Sequence, residues 1–173
     1  MSCNTLQDAL SSELILHAND LSTLKQLLLN GADINYQSNE GWCLLFELIT
    51  LGLDQHIVAL KEESFDIHIK DAKSRSALFW AIFHEKPNIV ETLLTLGYDT
   101  KQYVTDELPA LHYAVYKNNT AIVTTLLERK IDIECKDKYQ NSALSYAYLY
   151  EREEMIKLLK QRGASSANLD YPS

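Results

Sequence analysis

The feature that most constrains this chain is a sequence period of 33 residues, which runs along nearly its whole length. Aspartate recurs four times at this spacing and leucine five times, without an insertion. Periods of about 20–50 residues are typical of repeat proteins, in which each unit packs only on its neighbours. The period therefore predicts a solenoid rather than a domain with one closed core. The recurring positions are Asp33, Asp66, Asp99 and Asp132, together with Leu27, Leu60, Leu93, Leu126 and Leu159.

Each unit contains two apolar segments. The second places apolar residues three and four positions apart, as at Ile89, Val90 and Leu93, which predicts an amphipathic helix. The first is shorter and more apolar and carries a recurring small residue, as at Ala81 and Ala114. Because small side chains let helices pack closely, this segment is predicted to be an inner helix. The polar stretch between units is predicted to be an exposed turn.

A glycine column follows the second helix of each unit, where a left-handed residue commonly ends a helix. Gly31, Gly97 and Gly163 occupy this position in three units, but Ser64 and Lys130 replace glycine in the other two. In those two units the sequence leaves the geometry of the turn open.

The chain has an excess of acidic residues, with a net charge of −8 at pH 7. Nucleic acids and anionic membranes bind clustered Lys and Arg, so this balance disfavours both and is compatible with a basic protein partner. The longest apolar runs are shorter than the ~20 residues of a membrane-spanning helix. The N-terminus lacks the basic and apolar segments of a secretory signal. We therefore expect no nucleic-acid or membrane partner and a cytoplasmic location.

Residues that could carry chemistry are few and scattered. Cys3, Cys43 and Cys135 lie far apart and form no CxxC pair, which is typical of reduced thiols in a cytosolic protein. The histidines show no HxxxH or HExxH spacing, and no phosphate-binding or catalytic-serine motif occurs. We therefore expect no metal, no cofactor, no catalytic residue and no enzymatic activity.

Three units carry a similar motif at the start of the inner helix: Ser76–Ala81 (SALFWA), Pro109–Ala114 (PALHYA) and Ser142–Ala147 (SALSYA). Together with the glycine and aspartate columns, these segments resemble the Thr-Pro-Leu-His-x-Ala and Gly-Ala-Asp motifs of the ankyrin repeat family. The second unit is degenerate, and the first keeps only its second half. The resemblance implies an all-α ankyrin-repeat solenoid of stacked helix-turn-helix units joined by β-turn or hairpin loops.

The resemblance covers nearly the whole chain and implies a single, stand-alone domain over residues 1–173. Its five repeats are expected at about 5–37, 38–70, 71–103, 104–136 and 137–169. The end repeats of a solenoid have to present polar outer faces. The polar Ser11, Ser12 and Glu13 of the first repeat fit that role.

The resemblance also implies where a partner protein binds: on the concave face, at the turn tips and at the exposed ends of the inner helices. At the turn tips these positions are Asn39, Glu40, Trp42, Lys73, Arg75, Asp106, Leu108, Tyr139 and Asn141. At the inner-helix ends they are Phe83, His84, Tyr116, Lys117 and Tyr150.

The aromatic residues among these positions allow two interpretations. Phe83 and Tyr116 share one column of successive repeats, and Tyr150 follows that column's next position, Leu149, by one residue. The three rings either form a stripe that contacts a partner or cover neighbouring repeats. Trp42 lies beside a polar turn, where the core does not require an indole, and is predicted to be a contact residue. The rings expected to pack between repeats instead are Trp80, Tyr113 and Tyr146.

The predicted function is that of a monomeric protein-binding module that regulates or inhibits its partner. His112 occupies the motif histidine, which the resemblance makes a structural residue hydrogen-bonded to the backbone. Two narrower alternatives stay open. The acidic balance is compatible with a bacterial-type immunity or antitoxin protein that neutralises a basic toxin or effector. A secreted, host-directed adaptor is equally compatible with the residues.

Overall fold

A computed structural model describes the backbone of residues 3–166 and the side chains of residues 6–166. The Cys3 side chain and residues 167–169 of the expected fifth repeat lie outside the described residues. Within the described range the chain forms ten helices and no extended strand. They are α1 (Cys3–Leu16), α2 (Leu21–Leu29), α3 (Leu44–Leu51), α4 (Asp54–Ala59), α5 (Ala77–Phe83), α6 (Pro87–Thr95), α7 (Ala110–Tyr116), α8 (Thr120–Glu128), α9 (Ala143–Leu149) and α10 (Glu153–Gln161).

The helices are arranged in two layers, as the period predicts. The inner helices α3, α5, α7 and α9 pack on one another in chain order, and each packs on the outer helix that follows it. The outer helices α4, α6 and α8 also pack in order. One continuous apolar core runs between the layers and contains the leucine column from Leu60 to Leu159. The all-α solenoid predicted from the sequence is confirmed.

A hairpin-like tip precedes each inner helix from α3 onward. Antiparallel bridges pair Lys70 with Ser76, Tyr103 with Pro109 and Lys136 with Ser142. The Oδ1 atom of Asp71 accepts hydrogen bonds from the backbone N–H groups of Lys73 and Arg75. These bonds close the tip that precedes α5. Asp137 closes the tip that precedes α9 in the same way.

The recurring aspartates have a local structural purpose. The Oδ1 atoms of Asp33, Asp66, Asp99 and Asp132 each accept a hydrogen bond, at 2.8–3.0 Å, from the backbone N–H two residues later. Aspartate side chains stabilise turns in this way because they replace a backbone acceptor. The column therefore places the same turn after four outer helices, α2, α4, α6 and α8.

The role suggested for Ser11 as part of a polar end cap is wrong. Ser11 is buried, and its hydroxyl donates to the Gln7 carbonyl oxygen at 2.7 Å and accepts from the Asp33 N–H at 2.8 Å. It occupies the repeat position of Ala77 in α5. Ser11 is thus a small inner-helix residue whose polar group is satisfied by the backbone.

The glycine column adopts the left-handed conformation in all five units, including the two that lack glycine. Ser64 and Lys130 both have φ of 59°, beside 92° for Gly31 and 91° for Gly97. A residue with a Cβ atom is strained there by about 1–2 kcal/mol. The tertiary stack therefore holds these turns against the local preference of the two side chains.

We expect Lys130→Gly to raise the free energy of unfolding by about 0.5–1 kcal/mol, because relief of strain outweighs the extra freedom of glycine in the unfolded chain. Urea denaturation followed by circular dichroism measures the change. Gly97→Ala is the matched reverse control: a Cβ atom there meets nothing within 4 Å, so its destabilisation reports backbone strain alone. A Lys130→Gly variant less stable than wild type would contradict the prediction.

Candidate functional site

The predicted contact residues lie on one surface, formed by the hairpin tips and the exposed sides of α3, α5, α7 and α9, which we call the inner surface. At the tips, Asn39, Glu40, Lys73, Asp106, Tyr139 and Asn141 are exposed, while Trp42, Arg75 and Leu108 are half-buried. At the helix ends, Phe83, Tyr116 and Tyr150 are exposed, and His84 and Lys117 are half-buried. Two grooves on this surface collect most of these residues.

The first groove lies between the tips that precede α3 and α5 and has a volume of about 360 Å³. Five of the predicted contact residues line it: Asn39, Glu40, Trp42, Lys73 and Arg75. Asp71 and Ala72 complete the lining. Asp71 is buried, and the sequence analysis did not select it.

Trp42, at the floor of the first groove, is partly a core residue. Its ring packs edge-on against Trp80 with centroids 4.9 Å apart and lies 5.7 Å from the Phe46 ring. Its Nε1–H donates to Glu47 Oε2 at 2.9 Å. The interpretation that the core does not require this indole is therefore wrong, because the ring fills the junction between two repeats. One side of the ring still lines the groove.

Arg75 combines an ion pair with an aromatic contact. Its Nε–H donates to Asp71 Oδ2 at 2.7 Å. Its guanidinium carbon lies 4.3 Å from the Trp80 ring centroid and 5.5 Å from that of Phe79. Cations over aromatic faces are attracted by the ring quadrupole. The chain's own arginine thus occupies the aromatic surface beside the first groove.

The second groove, which we call the tyrosine groove, has a volume of about 340 Å³ and lies between the tips that precede α7 and α9. Five of the ten tyrosines of the chain line it. Sequence reasoning selected three of them and assigned Tyr113 and Tyr146 to packing. The recurrence of tyrosine at one repeat position, Tyr113 and Tyr146, each followed by a second tyrosine three or four residues later, was the signal that could have found the groove. The lining residues are Thr105, Glu107, Leu108, Tyr113, Tyr116, Tyr139, Tyr146 and Tyr150.

An aromatic chain runs along the inner surface to the tyrosine groove. From Phe83 it passes through Phe79, Tyr113 and Tyr116 to Tyr150, with ring centroids 4.7–6.1 Å apart at each step. The predicted stripe of Phe83, Tyr116 and Tyr150 is thus continuous only through the rings of Phe79 and Tyr113. The rings pack across repeats at Phe79–Tyr113 and Tyr116–Tyr150, while Phe83, Tyr116 and Tyr150 remain 38–45% exposed. The contact with a partner stays a prediction.

The rings assigned to packing between repeats behave as expected. Trp80 and Tyr113 are buried, and they contact Trp42 and Phe79, respectively, in the preceding repeat. Tyr146 is half-buried and lies edge-on to His112 with centroids 5.1 Å apart.

His112 is fully buried and forms a hydrogen bond to the tip that precedes α9. A carbonyl oxygen only accepts, so His112 Nε2 carries the hydrogen that bonds to the Asn141 carbonyl at 2.9 Å. Nδ1 of the neutral ring is then an acceptor, and it faces the Cys135 thiol at 3.9 Å. Burial lowers the pKa of His112, and this outweighs the opposite effect of the Asn141 bond. The arrangement fits the structural role that the resemblance implies.

The two described cysteines are poor nucleophiles. Burial raises the pKa of the Cys43 thiol to about 11. Burial, with Asp132 and Glu134 nearby, raises that of Cys135 to about 11 as well. Since the thiolate is the reactive form, neither side chain is activated. Cys43 is buried and caps α3 without a side-chain hydrogen bond.

The described residues also bear on metal binding and on membrane insertion. Among them, no group of three or more His, Cys, Asp and Glu side chains is arranged to hold a metal ion. No helix in residues 3–166 is long and apolar enough to cross a membrane.

Comparison with known proteins gives the same family as the sequence motifs. A family model described as ankyrin repeats (3 copies) matches residues 13–103 and 96–170. An ankyrin repeat protein of Acanthamoeba polyphaga mimivirus is 26% identical over 152 residues, which is 84% of this chain and 20% of that protein. The B-cell lymphoma 3 protein homolog of Mus musculus is 26% identical over 141 residues, 81% of this chain and 31% of that protein.

A third relative, the potassium channel AKT2/3 of Arabidopsis thaliana, is 23% identical over 150 residues, 87% of this chain and 18% of the channel. The chain thus spans between about a fifth and a third of the length of these curated relatives.

Proposed function

This chain belongs to the ankyrin repeat family, a family of non-catalytic protein-interaction modules, and from that premise we propose that it binds a partner protein through its inner surface and regulates or inhibits it. We propose further that it is a single domain of five repeats that acts as a monomer in the cytoplasm. The net charge of −8 supports a partner with a basic surface, because complementary charge speeds association and favours such partners.

The observation that carries this proposal is the exposed aromatic chain on the inner surface. Aromatic residues are enriched at the energetic centres of protein interfaces because they bury large areas at low entropic cost. Here Phe83 and Tyr116 are each nearly half exposed, at 44% and 45%, although neighbouring rings support them. A rigid apolar strip of this kind is available to a partner without rearrangement.

The test is affinity capture from the cell that produces the protein, with two matched double variants. Phe83→Ser with Tyr116→Ser removes the aromatic strip, and Leu29→Ser with Val58→Ser removes two exposed apolar side chains from the outer helices α2 and α4. We expect the first variant to bind its main partner at least ~10²-fold more weakly, since hot-spot aromatics contribute about 2 kcal/mol or more each. The second variant is expected to retain wild-type binding.

Circular dichroism confirms that both variants are folded, and an activity assay of the captured partner, with and without the chain, tests inhibition. Equal capture by both double variants would reject the inner surface as the binding site. A captured partner whose activity is unchanged would reject regulation while leaving binding intact.

The acidic balance favours one second candidate, an immunity or antitoxin protein that masks a basic toxin. Co-expression of the chain with a toxin encoded beside it distinguishes this role. Cells that survive only with the wild-type inner surface would support it, whereas equal survival with the Phe83→Ser, Tyr116→Ser variant would contradict it.

A further inference from the structure

The repeat geometry allows the same site to be compared at three successive positions. Arg75 in the third repeat lies over Trp80 and pairs with Asp71. One and two repeats later, the positions of Arg75 are taken by Leu108 and Asn141, which carry no charge. The aromatic position of Trp80 is kept as Tyr113 and Tyr146. The tyrosine groove therefore retains the aromatic part of the Arg75 site and lacks its cation.

The carboxylate part of the Arg75 site is also kept in the fifth repeat. Asp137 occupies the position of Asp71 and is only 1% exposed. Its Oδ2 atom accepts from the Tyr146 hydroxyl at 2.8 Å and from Asn141 Nδ2 at 3.2 Å. In the part of the chain that the structure describes, no Lys or Arg forms an ion pair with it.

The Asp137 carboxyl is ionised at neutral pH. Although burial alone would raise its pKa, hydrogen bonds from Asn141, Tyr146 and Tyr139 hold the pKa below its usual range. A negative charge therefore lies at the hydroxyl of Tyr146, whose ring lines the tyrosine groove.

Of the two lysines near the tyrosine groove, Lys138 is engaged within it and Lys117 outside it. Lys138 forms an ion pair with Glu107 across the two tips and lies 4.9 Å from the centroid of the Tyr139 ring. Lys117 lies 3.7 Å from Glu85 and 5.1 Å from the centroid of the Phe83 ring. Within residues 6–166, no Lys or Arg lies over the rings of Tyr116, Tyr146 or Tyr150.

We propose that the tyrosine groove binds an arginine side chain that the partner presents, so that the guanidinium takes the place that Arg75 takes against Trp80. This inference rests on the proposed protein-binding function and names the chemistry of one contact. Arginine fits better than lysine because its planar group stacks on aromatic faces and is weakly hydrated. The ring faces and the charge of Asp137 attract the cation.

The direct test uses two probes of the same shape, N-acetyl-arginine methylamide and N-acetyl-citrulline methylamide, which differ in charge. NMR spectra of the tyrosine rings follow each titration. We expect saturable shifts of Tyr116 and Tyr150 with arginine, at a dissociation constant on the order of 1 mM for one side chain, and at least ~10-fold weaker binding of citrulline. Equal binding of the two probes, no saturable shift, or tighter binding of N-acetyl-lysine methylamide would overturn the proposal.

Two variants that add the same charge at different places test the comparison between repeats. Leu108→Arg supplies the missing cation from the chain itself and is expected to weaken binding of the arginine probe at least ~10-fold. Leu29→Arg, on the outer helix α2, adds the same charge outside the groove and is expected to retain binding. Should Leu108→Arg fail to fold by circular dichroism, Tyr150→Leu replaces it and is expected to lose the probe. Unchanged binding by the folded variant would count against the site.

The probe titration does not involve the partner, so the two proposals fail separately. Loss of partner capture by the Phe83→Ser, Tyr116→Ser variant together with no arginine shift leaves the binding function standing and removes the arginine site. A saturable arginine shift together with unaffected capture supports the arginine site and removes the proposed function of the inner surface.

Discussion

Replacement of Trp80 by alanine is expected to lower the free energy of unfolding by about 3–5 kcal/mol, as for other large aromatic side chains removed from a core. Trp80 is 9% exposed and contacts rings from two repeats, among them Trp42 at 4.9 Å and Phe79 at 5.5 Å between centroids. A repeat protein depends on contacts between neighbours, so the cavity weakens the junction of the second and third repeats as well as α5 itself.

Denaturation by urea measures the change, and two controls define its cause. The Trp80 Nε1 atom is buried and has no hydrogen-bond partner among the described residues, so Trp80→Phe loses no hydrogen bond and is expected to cost less than half as much. Tyr139→Ala removes a ring that is 66% exposed and is expected to cost under ~1 kcal/mol. A Trp80→Ala variant as stable as Tyr139→Ala would contradict the assignment of Trp80 to the core.

Replacement of His112 by alanine is expected to cost about 2–4 kcal/mol. The substitution leaves a cavity at a fully buried position and removes the hydrogen bond that Nε2 donates to the Asn141 carbonyl. A buried polar contact of this kind contributes about 1–3 kcal/mol when its loss leaves a group unsatisfied. Because Asn141 belongs to the tip that precedes α9, we expect the loss of stability to extend into the tyrosine groove.

The same residue makes stability depend on pH. Because burial lowers the pKa of His112, the unfolded state binds more protons than the folded state below the ordinary histidine pKa of about 6.5. Stability is therefore complete above that value and falls as the pH decreases towards the lower pKa of the folded protein. Asp137, with its lowered pKa, adds a further loss only below the ordinary aspartate range near pH 4.

Thermal unfolding between pH 7.5 and 4.5 isolates the contribution of histidine. His112→Gln is expected to flatten the profile, because an amide nitrogen can donate to the same carbonyl without titrating. His84 is the matched control: burial, with Lys86 and Lys117 nearby, also lowers its pKa, but the half-buried ring contributes less. If His112→Gln left the profile unchanged and His84→Gln flattened it, the pH dependence would come from His84 and the prediction would be wrong.

The sequence anticipated the elements of the fold well because the information is local and repeated. Apolar spacing within each unit predicts the outer helices, and the motif segments predict the inner ones. The aspartate column marks a turn that each aspartate closes with a backbone N–H only two residues away. The role of Ser11 was predicted wrongly because the sequence does not show whether a serine hydroxyl is solvated or bonded to backbone groups. In the fold it is bonded to the backbone of Gln7 and Asp33.

The candidate site was anticipated in position but not in geometry. The fourteen predicted contact positions share one surface, since a repeat period places equivalent residues on one side of the stack, but their contact with a partner stays a prediction. Their grouping into grooves was not foreseen. Tyr113 and Tyr146 were assigned to packing alone, although both line the tyrosine groove. Trp42 was taken for a free contact residue although it also packs against Trp80.

By itself the sequence determined that this chain is a stack of helix pairs with an acidic surface, because periodicity, turn residues and charge are properties of the chain in order. Only the tertiary structure decided which rings stack on one another, which Lys and Arg side chains contact a ring or a carboxylate, and that Asp137 has no cation beside it among the described residues. Those features depend on distances of a few ångströms between residues about 33 positions apart. Arg75 over Trp80 and the uncharged Leu108 beside Tyr113 occupy the same repeat position, and the difference acquires its meaning when the repeats are stacked.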